Sequence, residues 1–323
     1  MGSLTSFLQA GFRHYCPKNW LCESEVPLVD SSAGKRLGFS PRADVRLSHR
    51  GGERRIWVEF EVSRADPVAN HAKYATALLL EGLDTTDCFV SMTSRHVAQG
   101  RAALAAGAAI WMRGIGIPAY KVDLLPTLDG DAIRALNSRT LTADDLASIP
   151  VRAEIHRVID ISSAAVTTSG HRIQKADNPY TVSRNIRNWN AEVEEPDGRG
   201  LWGQRRTRFF VFDLATGLFA PSKFCAFTPG PVFDGIRPVG RNMTTLKLGM
   251  SMNVYVELGE QDPRFDGHVA RMHLERSLLY RRVELQGAPS NVSQAFERWQ
   301  LPRQDLFKQT SEISLLLPHP GYG

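Results

Sequence analysis

Apolar and polar residues alternate from Pro41 to Leu47 and again from Ile56 to Ser63, the pattern of half-buried strands. The stretch between, 49–55, is polar and carries Gly51 and Gly52, so it predicts a hairpin turn. On the second strand Glu59 and Glu61 are two apart and share a face with Trp57, while Val58, Phe60 and Val62 take the other. Upstream, Leu4, Phe7, Leu8 and Phe12 recur at helical spacing and predict a helix over 3–15. A connector with Glu23 and Glu25 follows, and a short strand is expected around Lys35–Ser40. Downstream, Pro67 marks the start of a helix over 68–81. A buried strand over 87–93, an Ala-rich helix over 96–112 and a last strand over 117–125 complete the series. Residues 1–126 thus predict a mixed α/β (α+β) sheet with helices packed on it.

Beyond residue 126 the pattern loosens. Residues 127–175 read as a linker, with a short capped helix at 142–147, a strand over 155–162 and a small, polar loop over 162–171. Residues 176–323 read as a β-rich second domain. Strands are expected at 209–212 and 252–257, and a helix at 268–280 with Arg271 and His273 on it. Phe209, Phe210, Phe212, Phe219, Phe224 and Phe227 are expected mostly to fill a β-barrel core. The run Leu315–Gly321 carries no clear signal.

A length of 323 residues favours two domains, and 42% hydrophobic residues suffice for their cores. The net charge of +5 lies almost wholly after residue 150, which suits an anionic partner. Arginine outnumbers lysine, and its planar fork suits phosphate and guanine. Cys16, Cys22, Cys88 and Cys225 have no disulfide spacing, and His14, Cys16 and Cys22 lack the second pair a zinc site needs. The amino-terminal residues do not read as a leader, and no apolar run reaches membrane-spanning length. A soluble, intracellular protein is expected.

The chemistry concentrates on the first strand pair. Glu59 and Glu61 repel each other unless a cation or water intervenes, and Asp44 on the neighbouring strand adds a third oxygen donor. Hard oxygen ligands with room for water suit Mg²⁺. The alternative is an exposed strand with two glutamates on its wet face.

The element order, the lone Asp44 and the Glu59-x-Glu61 pair resemble the PD-(D/E)XK nuclease superfamily, which includes most type II restriction enzymes. The resemblance covers 1–126. Pro41 and Asp44 stand at its "PD" position, here with two residues between them, Glu59 at the next acid, and Glu61 where a lysine is usual. Lys73, on the following helix, resembles a lysine displaced to that helix. The resemblance implies Mg²⁺-dependent phosphodiester hydrolysis, with Asp44, Glu59 and Glu61 around the metal and Lys73 as the cation. Glu61 could instead be a general base. His71 and Tyr74, three apart on one helical face, could flank a phosphate. It also implies a role in prokaryotic DNA defence, hence a cytoplasmic enzyme, and a homodimer to cut both strands.

Arg184, Arg187, Arg205, Arg206 and Lys223 are candidate contacts to double-stranded DNA, with Trp189 and Trp202 as walls for a base. The whole then reads as a restriction endonuclease whose second domain recognises a short sequence or a modified base. The alternatives are a DNA-binding protein on a degenerate nuclease fold and a structural α/β protein whose acids are decoration.

Overall fold

The computed structural model describes residues 3–52, 54–63, 67–81, 87–167, 171–230, 233–234, 237–238, 250–261, 266–308, 310 and 312–319. The chain divides into two compact units, Met1–Ser163 with Pro231–Met243, and Ala164–Gly230 with Thr244–Gly323.

The first unit runs α1 (Ser3–His14), β1 (Trp20–Pro27), α2 (Ser31–Leu37), β2 (Arg42–His49), β3 (Arg55–Glu61), α3 (Pro67–Glu81), β4 (Cys88–Ser94), α4 (Gln99–Gly114) and β5 (Ala119–Leu124). It continues with α5 (Gly130–Ser138), α6 (Ala143–Ser148) and α7 (Val151–Ser162). The five strands form one sheet in sequence order, antiparallel from β1 to β3 and parallel from β3 to β5. Alternation along the strands sorts the core onto two faces. Val58, Phe60, Val90, Met92 and Val122 meet Leu4, Leu8 and Phe12 of α1 and Ile155 and Val158 of α7. Trp57, Phe89 and Ala119 meet Tyr74 and Ala77 of α3 and Ala109 and Met112 of α4.

Four expectations for this part are corrected. The connector with Glu23 and Glu25 is strand β1, which buries Trp20, Cys22 and Val26 against the sheet. The strand expected at Lys35–Ser40 is instead the end of helix α2. Asp30 caps its first turn by accepting the Ala33 N–H at 2.7 Å, and Gly38 ends it at φ 75°, a conformation glycine adopts without steric penalty. The supposed linker is largely helical core: Ile133, Ile149, Val151, Ile155, Val158 and Ile161 are buried in the first unit. The alternation read as a strand at 155–162 is the inner stripe of α7, a helix with its buried positions at three- and four-residue spacing.

The remaining elements are β6 (Ala164–Val166), β7 (Arg172–Lys175), α8 (Pro179–Glu194), α9 (Pro196–Trp202), β8 (Arg205–Arg206), β9 (Phe209–Asp213), β10 (Leu218–Pro221), α10 (Ser222–Cys225) and β11 (Phe227–Gly230). They continue with β12 (Phe233–Asp234), β13 (Arg237–Pro238), α11 (Met252–Gln261), α12 (Gly267–Ser277), β14 (Arg281–Glu284), α13 (Ser290–Gln300), β15 (Phe307–Lys308) and β16 (Ser314–Leu317). The second unit is mixed α/β, not a β-rich barrel. Its largest sheet has the order β10-β9-β16-β14, with smaller ladders β11-β7-β6 and β15-β8. The expected strand at 252–257 is helix α11, whose Met252, Tyr255 and Leu258 turn inward at helical spacing. The seemingly uninformative tail supplies β16, parallel to β9 and antiparallel to β14. Leu315, Leu316 and Leu317 are all buried there, so a strand covered on both faces shows no alternation.

Among the described residues no helix is long and apolar enough to cross a membrane.

Candidate active site at a strand fork

Asp44 lies where the sheet opens. The β2–β3 ladder ends at Val45↔Val58, and the next residues along, Asp44 and Glu59, are not paired. Asp44 Oδ2 instead accepts the backbone N–H of Phe60 at 2.7 Å, so a side chain takes over where the ladder stops. On its other flank the β1–β2 ladder pairs Ser24↔Val45 and Val26↔Ala43 but skips Glu25, which turns through φ 54°. That turn brings the Glu25 carboxylate to Gln9 of α1. Gln9 Nε2 donates to Glu25 Oε1 at 2.7 Å and to Asp44 Oδ1 at 3.3 Å. Gln9 and Glu25 are site neighbours that sequence reasoning did not assign, and only the broken ladder exposes them.

Glu59 and Glu61 share a face, as their spacing requires, but that face is not wet. They are 5% and 4% exposed, beneath α3. The helix answers both acids. Asn70 Nδ2 donates to Glu61 Oε1 at 2.5 Å, and Lys73 Nζ forms an ion pair with Glu59 Oε1 at 2.6 Å. Positions three apart on a helix lie on one face, so a single face of α3 meets two residues two apart on a strand. Lys73 Nζ also donates to the Arg42 carbonyl oxygen at 2.6 Å, on the β2 side of the fork.

The electrostatics follow from burial. Desolvation raises the Glu59 carboxyl to about 8, the nearby Asp44 adding to the rise and Lys73 opposing it. Burial also raises the Asp44 carboxyl, against the Phe60 N–H that favours its charged form, while Glu25 adds to the rise. Both acids are pushed upward by burial, Glu59 also by Asp44 and Asp44 also by Glu25, so a cation there would relieve both, and their hard oxygens suit Mg²⁺. Among the described residues, however, no three His, Cys, Asp or Glu side chains form a ready cage for a metal. The expected set of Asp44, Glu59 and Glu61 is therefore corrected to an assembled pair, Asp44 and Glu59, with Glu61 engaged by Asn70.

The polar face extends further along the sheet. The parallel register sets Glu59 beside Ser91 and Ser91 beside Lys121, and one step on it sets Glu61 beside Thr93 and Thr93 beside Asp123. Ser91, Thr93 and Lys121 are all buried, and Lys121 forms an ion pair with Asp123. The signal was present as polar residues two apart, Ser91 with Thr93 and Lys121 with Asp123, inside otherwise apolar strands.

Other expected contacts are relocated. His71 is buried, its ring edge-on to Phe89 at 5.0 Å and its Nδ1 2.9 Å from the Pro67 carbonyl oxygen, so it faces core rather than phosphate. Tyr74 is fully buried and stacks on the same ring. Trp189 and Trp202 are no walls for a base: both are buried, edge to face at 5.2 Å, and Trp202 Nε1 donates to the Leu306 carbonyl oxygen. Trp189 lies on the buried stripe of α8, and Trp202 ends α9. Asn185 and Asn190 turn inward as well, donating to the backbone carbonyl oxygens of Phe227 and Phe219. Arg184 is partly buried and Arg187 exposed on α8, where Arg187 donates to Ser183 Oγ at 3.3 Å. Arg205, Arg206 and Lys223 line one cleft of the second unit. His273, on the helix expected at 268–280, is buried against the Ala176 carbonyl oxygen at 2.7 Å, and burial lowers its imidazole to about 4.

No protein-family model, no curated protein and no solved structure matches this chain.

Proposed function

We propose that the first unit is a Mg²⁺-dependent deoxyribonuclease of the restriction-endonuclease kind, with a PD-(D/E)XK-like core, and that the second unit engages the DNA. The observation that carries this reading is the ion pair between Lys73 and Glu59 beside Asp44 at the fork. Two carboxylates at the opening between two strands and one ammonium from the helix above them are the groups that phosphodiester hydrolysis uses. Asp44 and Glu59 would hold the metal, and the chemistry it supplies when bound is polarisation of the phosphoryl oxygen and acidification of a water. Lys73, 19% exposed at its side chain, has one contact to Glu59 and one to the Arg42 carbonyl, and offers its third donor to a phosphate oxygen or the attacking water. Glu59, with its carboxyl near neutrality, can give up its proton when a cation arrives. The Phe60 N–H and Gln9 hold Asp44 in place. On this reading the protein acts on double-stranded DNA in the cytoplasm of a prokaryote, as a homodimer that cuts both strands.

One observation favours a second reading, a DNA-binding protein on a degenerate nuclease fold: Glu61 stands where the strand lysine is usual and is engaged by Asn70. Incubating the protein with methylated and unmethylated plasmid, in Mg²⁺ or in EDTA, separates the two. Mg²⁺-dependent cleavage lost in Glu59→Gln supports the nuclease. Binding of both plasmids without cleavage under any divalent cation supports the second reading.

A further inference from the structure

The second unit contains a cleft of about 440 Å³, within the range of small-ligand sites. Arg205, Arg206, Arg208, Lys223 and Lys308 line it, with Asp266 as the acid facing them. Most charges near it already have partners. Arg208 pairs with Glu312 at 2.5 Å. Lys223 Nζ donates to the Leu258 carbonyl oxygen at 3.0 Å and lies 6.0 Å from the Tyr255 ring centre. Arg205 donates to the Trp202 carbonyl oxygen, and the Asp266 carboxylate caps α12 by accepting the Val269 N–H at 2.7 Å.

Two cations are different. The short parallel ladder of β8 and β15 sets Arg206 directly beside Lys308. Both are exposed, and among the described residues neither side chain has a hydrogen bond or an ion pair. Adjacent strands lie about 4.8 Å apart, and like charges held opposite each other on a ladder destabilise it. Nothing in the packing of two exposed, polar side chains requires this arrangement. An anion between them removes the repulsion, and a phosphate offers two oxygens to two donors. Such a cationic pair at the rim of a cleft also lined by Tyr255 suits a phosphate that carries an organic group.

We propose that this cleft takes a nucleotide phosphate, held between Arg206 and Lys308, with the attached nucleoside directed into the cleft. The inference deepens the reading of the second unit as the part that engages DNA, and rests on it. A nucleotide within a strand and a free nucleotide share this chemistry, and DNA is the source favoured by that reading.

The test measures binding of a short fluorescent DNA duplex and of a fluorescent deoxynucleoside monophosphate across a range of salt, in EDTA. With cleavage suppressed, failure of the cleft and failure of the nuclease reading are separate results. Replacing both cations in R206A/K308A should lower the magnitude of the slope of log affinity against log salt by about 0.9 for the duplex, the loss of the one phosphate that the pair neutralises. The charge-preserving R206K/K308R should restore it. If only the mononucleotide binds, and the alanine pair abolishes that binding, the phosphate site stands with a free nucleotide as its source. An unchanged slope and unchanged affinity for both probes, in a variant whose circular dichroism matches the parent's, overturns the proposal.

Discussion

Lys73 and Glu59 meet at 2.6 Å across the gap between α3 and the sheet, and this contact closes the fork in which Asp44 sits. One helical turn earlier Asn70 meets Glu61. The two contacts lock the register of α3 over β3, so positions defined by two different periods coincide at one place. A buried carboxylate with a cation on one side and a second acid on the other has its charge state set by whichever neighbour is altered.

On the proposed reading Lys73 is the cation of a nuclease site. Lys73→Met keeps most of the apolar stem and deletes the ammonium, so single-turnover cleavage of plasmid should fall by about 10²–10³-fold. Lys73→Arg should recover part of it, because charge returns while geometry differs. The glutamate loses a neighbour that favours its charged form, so the alkaline shift of the cleavage pH profile in Lys73→Met is the signature of this pairing. A full-rate Lys73→Met enzyme would remove the lysine from the site.

Asp44 serves the backbone as well as the proposed chemistry. Asp44→Ala leaves the Phe60 N–H without its acceptor, at a cost of about 1–3 kcal/mol in urea denaturation. Asp44→Asn keeps an acceptor oxygen and should recover most of that stability, while cleavage is lost in both variants. Equal destabilisation by Ala and Asn would mean that the contact to Phe60 contributes little.

How far these features were legible depends on the period involved. The alternation along β2 and β3, the proline that opens α3 and the apolar spacing in α1 are local signals, and they locate Asp44, Glu59, Glu61 and Lys73 on the right elements. Glu25 could not be found that way: its role depends on a positive φ and a skipped ladder position, neither of which leaves a mark in composition. Burial was the other gap. Glu59 and Glu61 read equally well as a wet face, because only the tertiary fold reveals that α3 covers them. In the second unit residue type and position pull apart. Its aromatic and Arg-rich stretches look like a binding surface, yet on α8 the buried stripe holds Asn185 and Asn190 together with Val182, Ile186, Trp189 and Val193, while Arg187 stays exposed. Sidedness at a period of 3.6 separates those roles, and residue type alone does not.

Trp202 tests that correction. It stacks on Tyr255 with ring centres 4.9 Å apart and is 1% exposed. Trp202→Ala should therefore cost about 3–5 kcal/mol of stability, as truncation of a large buried ring does. The loss should appear in chemical denaturation with no DNA present. A variant of unchanged stability that has lost DNA affinity would return Trp202 to the binding surface.

Glu59 makes the pH dependence specific. Its carboxyl is raised from an ordinary value of 4.5 to about 8, so the folded protein holds this proton more tightly than the unfolded chain. The stability this provides is fully present below about pH 4.5 and is lost as pH rises towards and past 8. Asp44 is shifted in the same direction and adds to the fall. Thermal denaturation without divalent cations should therefore show a decline across this window, and Glu59→Gln, which cannot ionise, should flatten it. On the proposed reading Mg²⁺ would change the balance, because it would bind the ionised form and displace the proton. Its stabilising effect should be small near pH 6, grow up to about 8 and level off above. Calorimetry in buffers of different ionisation enthalpy should register proton release on the rising part of that curve. If Mg²⁺ raises the melting temperature equally at both ends of the range, or does so undiminished in Glu59→Gln, then the cation binds elsewhere and the pair at the fork does not hold it.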